Sequence, residues 1–146
     1  MTARYPRGTA YHEAGHAVVA WSLGLQVRGV RVSDEDASGG AEIGGADRLS
    51  LVDHISLCAA GYAAERVFDC RTHELAGFND RLKIMELITR SGKSEEEYGP
   101  ALRDEGYERA RELLVRHERK VNQLAGQLVE HGYVDAADFL HMMAAD

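Results

Sequence analysis

The segment Tyr11-His12-Glu13-Ala14-Gly15-His16-Ala17 constrains this chain more than any other. Residues four apart share one face of an α-helix, a single turn from each other, so a helix lets His12 and His16 aim imidazole nitrogens at one metal ion. Glu13 then stands beside the open coordination position. A carboxylate there can take a proton from a metal-bound water whose pKa has been lowered to about 7. With the seven histidines and fourteen glutamates of this chain, such a pattern arises by chance about 0.03 times per chain. A zinc site of this kind needs a third protein ligand and leaves its fourth position to water, so the rest of the chain must supply a ligand to this helix.

The surrounding pattern supports the helix. From Thr9 to Leu23 the apolar residues Ala14, Ala17, Val18 and Trp21 recur at steps of three and four, with Thr9 placed to cap the start and Gly24 to end it. Residues 26–33 alternate Val27, Val30 and Val32 with arginines, and a second short run at 41–44 follows a turn containing Gly39 and Gly40. These read as a small, partly exposed sheet. Residues 49–68 are helical by pattern, with a stripe of Val52, Ile55, Ala59, Tyr62 and Ala63. Ala60, Gly61 and Ala64 beside that stripe are small enough to let another backbone come close. A loop from Asp69 to Gly77 leads to a helix expected over 79–90, and Pro100 is expected to open the next one after a solvated loop holding Glu95, Glu96 and Glu97. From Tyr107 the seam Ala110, Leu114, His117, Val121, Leu124, Leu128 and His131 marks a long helix or a helix pair. The bundle core is the expected home of that seam, with an intermolecular coiled coil as the alternative. A last short helix, capped by Asp135, carries Phe139, Leu140 and Met143.

Residues 1–146 therefore read as a single domain, mainly α with a small β-sheet, long enough to bury roughly 68–70% of its unfolded surface. With 17 Lys and Arg against 24 Asp and Glu, the formal charge is −7, which offers no basic footprint for a phosphate backbone and excludes nucleic acid as the expected partner. Cys58 and Cys70 form neither a CxxC pair nor a disulfide framework, so a reducing, cytoplasmic setting is expected. No stretch is apolar enough to span or target a membrane.

The third ligand is not fixed by spacing. An extended HExxHxxGxxH pattern would need Gly at position 19 and His at position 22, where Val19 and Ser22 stand. Two carboxylates on later helices remain, Glu65 in Gly-Tyr-Ala-Ala-Glu and Asp80 in Gly-Phe-Asn-Asp, and their chemistry does not choose between them. His54, His73, His117, His131 and His141 have no comparable spacing and read as ordinary surface or core histidines.

Three separated segments carry a resemblance to the peptidase domain of the FtsH-type ATP-dependent zinc metalloproteases. Tyr11 to Ala20 contains that family's HEAGHA; Gly61 to Glu65 resembles its G-R-A-A-E segment; Gly77 to Asp80 resembles its G-A-x-N-D segment. Their order and approximate spacing agree, and the stretch Ala110 to Glu130 is similar to the family's paired final helices. The resemblance implies a zincin-like helical bundle of the FtsH peptidase-domain type and a zinc ion held by His12, His16 and Asp80. It also implies that Glu13 activates water and that Glu65 is a helix residue near the site, structural or supporting a ligand. The implied activity is that of a zinc metalloendopeptidase cutting unfolded or flexible polypeptides.

The departures are equally specific. Family members carry a transmembrane anchor and an ATPase module, whereas no Walker-type G-x-x-x-x-G-K-[S/T] occurs here and no apolar span precedes residue 12. ATP-driven processive degradation is therefore not expected of this chain alone, and a separate ATPase or unfoldase becomes a candidate partner. The family's hexameric rings leave an oligomer open. Ala60-Gly61-Tyr62 replaces the family's paired glycines and Arg, and Phe78 replaces a small residue. An extended substrate could add to a sheet edge at 27–33 or 41–44 through backbone hydrogen bonds. The rival expectation is a zinc-binding regulatory or interaction module without useful turnover, serving a separate ATPase. The intact Glu13 favours the enzyme, because a structural zinc site closes its fourth position and needs no general base.

Overall fold

In the computed structural model, which describes residues 5–33, 39–72 and 74–145, eleven of the sixteen residues of the first helix, α1 (Arg7–Ser22), are buried. A stripe had been expected. Burial runs nearly all round instead, because α1 is the central element and other helices and the sheet cover its faces. The helix starts two residues before Thr9: Pro6 has φ −60°, a value its ring imposes and a helix start accepts, and its carbonyl takes the Ala10 N–H at 3.0 Å. Thr9 is thus inside the first turn and buried, with its hydroxyl 2.8 Å from that of Thr72. Gly24 ends the helix as expected. It has φ +83°, and the bonds Gly24 N–H to Trp21 O and Leu25 N–H to Ala20 O, both 3.0 Å, close a Schellman motif.

The sheet has three antiparallel strands in the order β2-β1-β3, with β1 at Gln26–Val32, β2 at Gly39–Gly44 and β3 at Tyr133–Asp135. The register slips between Val27 and Gly29, a bulge at Arg28 that explains why Gly29 and Val30 are both buried in succession. Val30 pairs with Ala41 on one side and Val134 on the other. The expectation of an open edge at 27–33 is therefore corrected: β1 is the interior strand, and among the described residues β2 has a free edge. Three residues are too few to show a period of two, so β3 left no pattern in the sequence.

Helix α2 (Leu51–Val67) follows a 3₁₀ turn at Ala46–Arg48, and the Ser50 hydroxyl accepts the Asp53 N–H at 3.2 Å. Its small residues do bring another backbone close. A Cβ on Gly15 of α1 would lie 2.7 Å from the Ala60 carbonyl oxygen and 2.6 Å from the Ala64 Cβ. Tyr62 is not part of the buried stripe and is exposed, since the packed side of α2 is the one bearing Ala60, Gly61 and Ala64.

Helix α3 spans Glu74–Arg90, five residues earlier than expected, so that Gly77, Phe78 and Asp80 are all helical. The run Glu74-Leu75-Ala76 favours a helix strongly enough to absorb the cost of Gly77. Helix α4 (Glu95–Arg116) likewise starts early: Glu95, Glu96 and Glu97 form its first turn and Pro100 lies inside it, contrary to a solvated loop ending at Pro100. Carboxylates complement the partial positive charge of a helix start, and Ser94 caps it by accepting the Glu97 N–H at 3.3 Å. A break at His117 separates α4 from α5 (Glu118–His131). Ala110, Leu114, Val121, Leu124 and Leu128 are buried within the chain's own core, so the seam serves the bundle. Helix α6 (Ala136–Ala144) is capped by Asp135, which accepts the Asp138 N–H at 2.8 Å; Phe139 and Met143 are buried while Leu140 is exposed. Among the described residues no helix is long and apolar enough to cross a membrane.

Candidate metal centre

Helix α1 presents His12, Glu13 and His16 toward α2, α3 and the start of β2. His12 is buried, with the Nδ1 of its ring 2.7 Å from Glu65 Oε2, and the His16 Nδ1 lies 2.8 Å from the carbonyl oxygen of Leu57. A carbonyl and a carboxylate can only accept, so each Nδ1 donates, and both Nε2 atoms face a common point. The Nε2 atoms are 3.2 Å apart. Asp80 Oδ2 completes a triangle with them, 3.0 Å from His12 Nε2 and 3.1 Å from His16 Nε2.

Three acceptors this close repel one another unless something positive sits between them. In the metal-free chain that is a proton. Burial pulls the His12 pKa down, but its bonds to Asp80 and Glu65 and the charges of Glu13 and Asp80 outweigh burial and carry it up to about 9. For Asp80, burial works upward, yet its bonds to His12 and His16 and their charges hold its carboxyl well below the usual carboxylate range. A divalent cation fits the same triangle. Bonds of about 2.0–2.2 Å from His nitrogen and Asp oxygen at tetrahedral angles place donors roughly 3.3–3.6 Å apart, a few tenths of an ångström wider than the 3.0–3.2 Å observed.

Glu13 is also buried, with Oε1 3.9 Å from His12 Nε2, and His12, Glu13 and His16 offer ligand atoms within 4.8 Å of one another. Glu13 lines a cavity of about 490 Å³ together with His12, His16, Asp80, and Gly39 to Ala41 and Ile43 of β2. The arrangement thus combines three convergent groups able to ligate a metal, a further carboxylate beside the cavity, and the edge strand of the sheet as a wall.

A sequence profile of the family described as peptidase M50B-like matches residues 7–85, more than half of the chain. The matched stretch runs from the start of α1 through Asp80. The chain belongs to the peptidase M50B-like family. It is also similar to the ATP-dependent zinc metalloprotease FTSH 11, chloroplastic/mitochondrial, of Arabidopsis thaliana, at 24% identity over 168 residues that cover 92% of this chain and 21% of that protein. The chain therefore spans about a fifth of that relative's length. The family match places this chain among the M50B-like peptidases, and zinc is the metal in the name of the similar plant protein.

Of the residues singled out from the sequence, His12, His16 and Asp80 meet at the triangle and Glu13 stands next to it. Glu65 lies on the far side of the His12 ring, where its Oε1 accepts the Thr72 N–H at 2.9 Å and its Oε2 orients the ring. Such carboxylate partners fix the tautomer and raise the basicity of a metal-bound imidazole. His54, expected to be an ordinary histidine, lines the cavity, and His73 lies outside the described residues. Two contributors to this candidate site left no direct signal in the sequence. The Leu57 carbonyl is a backbone atom and leaves no residue signal. Gly61 was legible only as a small residue, yet a Cβ there would lie 2.3 Å from His12 Nε2, so its bareness makes room for the ring.

Proposed function

We propose that this chain is a zinc-dependent metalloendopeptidase of the FtsH type, one domain over residues 1–146, acting on unfolded or flexible polypeptides. The observation that carries the reading is the triangle of His12 Nε2, His16 Nε2 and Asp80 Oδ2 with sides of 3.0–3.2 Å. In this reading His12, His16 and Asp80 hold the zinc, and Glu65 and the Leu57 carbonyl keep the two rings in the ligating tautomer. Bound there, zinc supplies Lewis acidity that lowers the pKa of water and polarises a carbonyl. Glu13 accepts the proton of the attacking water and returns it to the leaving amine nitrogen.

The free edge of β2 receives the substrate as an added strand, using backbone hydrogen bonds that impose little sequence preference, which suits an unfolded chain. Gly39 at the start of that strand supports this placement, since a Cβ there would come within 2.8 Å of Glu13 Cγ and only glycine brings the strand this close to the base. A separate ATPase is the partner this reading assigns for folded substrates. The two free thiols Cys58 and Cys70 suit a reducing, cytoplasmic compartment.

The test is digestion of unfolded casein by the zinc-loaded chain beside Glu13→Gln. Cleavage that disappears in the variant while zinc stays bound is the expected result. Equal cleavage by both forms would remove Glu13 from its role. Absence of cleavage by either, with zinc bound, would favour a zinc-binding interaction module instead.

A further inference from the structure

The cavity beside the triangle has a charge that the mechanism does not use. Lys83 lies one turn beyond Asp80 on α3 and lines the same cavity. It is close enough to Cys58, another lining residue, to work against the upward pull that burial and Asp80 exert on that thiol.

Among the described residues no carboxylate is within ion-pair distance of Lys83, and those that share its cavity or follow it on α3 are engaged elsewhere. Asp80 is bound by His12 and His16, Glu86 on the next turn pairs with Arg90, and Glu13 is turned to His12. His54, the remaining titratable group on the wall, is shifted toward its neutral form by burial and by Arg90, against Asp47. A divalent ion held by two imidazoles and Asp80, with Glu13 beside it, is electrically balanced. Among the described residues Lys83 is then the one uncompensated charge on the wall, in a chain whose formal charge is −7.

We propose that Lys83 is a specificity-determining residue that takes a carboxylate of the substrate within a residue or two of the scissile bond. The inference rests on the peptidase reading of this same site. The carboxylate has two sources, an Asp or Glu side chain inside the polypeptide or the α-carboxylate at its C-terminus, and both present the same anion to the ammonium. Backbone pairing along β2 leaves sequence preference open, and Lys83 supplies it by charge: it attracts acidic residues and disfavours basic ones at the subsite it faces.

The experiment uses the zinc-loaded full chain and a set of matched peptides with both ends blocked, differing only in Asp, Asn or Lys at one position near the centre. A further pair carries Asn there, with the C-terminus either free or amidated close to the cut. Lys83 is exposed at the surface, so the pairing is partly screened and kcat/KM should favour Asp over Asn by about three- to fivefold, with Lys poorest. Lys83→Glu should reverse that order, and Lys83→Met should bring the ratio to about one. A preference confined to the free C-terminus would assign the α-carboxylate as the anion, and one confined to internal Asp would assign the side chain.

Binding of the same peptides to zinc-loaded Glu13→Gln, followed by fluorescence anisotropy, reads the subsite without turnover. If no peptide is cleaved while binding still favours Asp and reverses when Lys83→Glu is added, the peptidase reading fails and the carboxylate subsite stands. Cleavage and binding that keep the same order in wild type, Lys83→Glu and Lys83→Met overturn the subsite and leave the peptidase intact.

Discussion

Replacing Gly61 by Ala would test whether the bare backbone of α2 is what seats His12. On helix propensity alone the change should stabilise a mid-helix position by roughly 0.5–1 kcal/mol. The new methyl group would, however, lie 2.3 Å from His12 Nε2 and 2.4 Å from Cε1. Ordinary contact requires about an ångström more, and overpacking of this kind costs typically 1–3 kcal/mol. The ring has no easy retreat, being tied through Nδ1 to Glu65 at 2.7 Å and buried. The metal-free fold should therefore lose about 1 kcal/mol net, a fall of roughly 2–4 °C in Tm for a chain of this size. The larger effect falls on the metal. Moving Nε2 by about an ångström opens the triangle, and zinc affinity should drop by at least the 10–100-fold seen when a ligand's supporting partner is lost. Thermal unfolding without metal, and zinc titration against a chromophoric chelator, give the two numbers. A Gly61→Ala chain that melts higher than wild type and holds zinc equally well would refute the reasoning.

Three further outcomes follow from the same geometry. In the metal-free chain His12 sits at about 9 against an ordinary 6.5, so the stability from its charged ring is fully present below about pH 6.5 and is lost as pH rises through about 9. Zinc displaces that proton, so its affinity should climb up to tenfold per pH unit across the window and then level off; a flat chelator competition curve between those limits would contradict this. Glu65→Gln keeps an acceptor near His12 but removes the charge, and should weaken zinc by about 10–100-fold with little loss of helix content by circular dichroism, whereas unaltered affinity would deny Glu65 its orienting role. Asp135→Ala removes the cap of α6 and should cost about 1 kcal/mol in urea unfolding, with no change in zinc affinity because α6 lies outside the metal centre.

Much of the fold was legible because apolar spacing reports burial on one face. The periods around Ala17, Ile55 and Leu124 gave helices that the structure contains, and Ala60, Gly61 and Ala64 announced a close helix crossing. Helix starts were less legible. Pro6, Glu74 and Glu95 lie in segments whose local signals favour both turn and helix, and α1, α3 and α4 each begin earlier than capping residues alone suggested. Nor could a three-residue strand such as β3 be read, since it owes its existence to pairing with Val30 about a hundred residues away.

At the candidate metal centre, the chain by itself brought His12, His16 and the acid Glu13 together, because helical geometry makes residues three and four apart neighbours wherever the helix is placed. It left two carboxylates on equal chemical terms. The family resemblance pointed to Asp80, and the tertiary structure gave the geometric distinction by setting Asp80 on the Nε2 side of both rings and Glu65 on the Nδ1 side of one. The physical reason is that a contact across 68 residues depends on how α1, α2 and α3 pack: the small residues of α2 announce a close crossing, but neither its partner nor the Leu57 carbonyl that holds the His16 ring shows in a sequence.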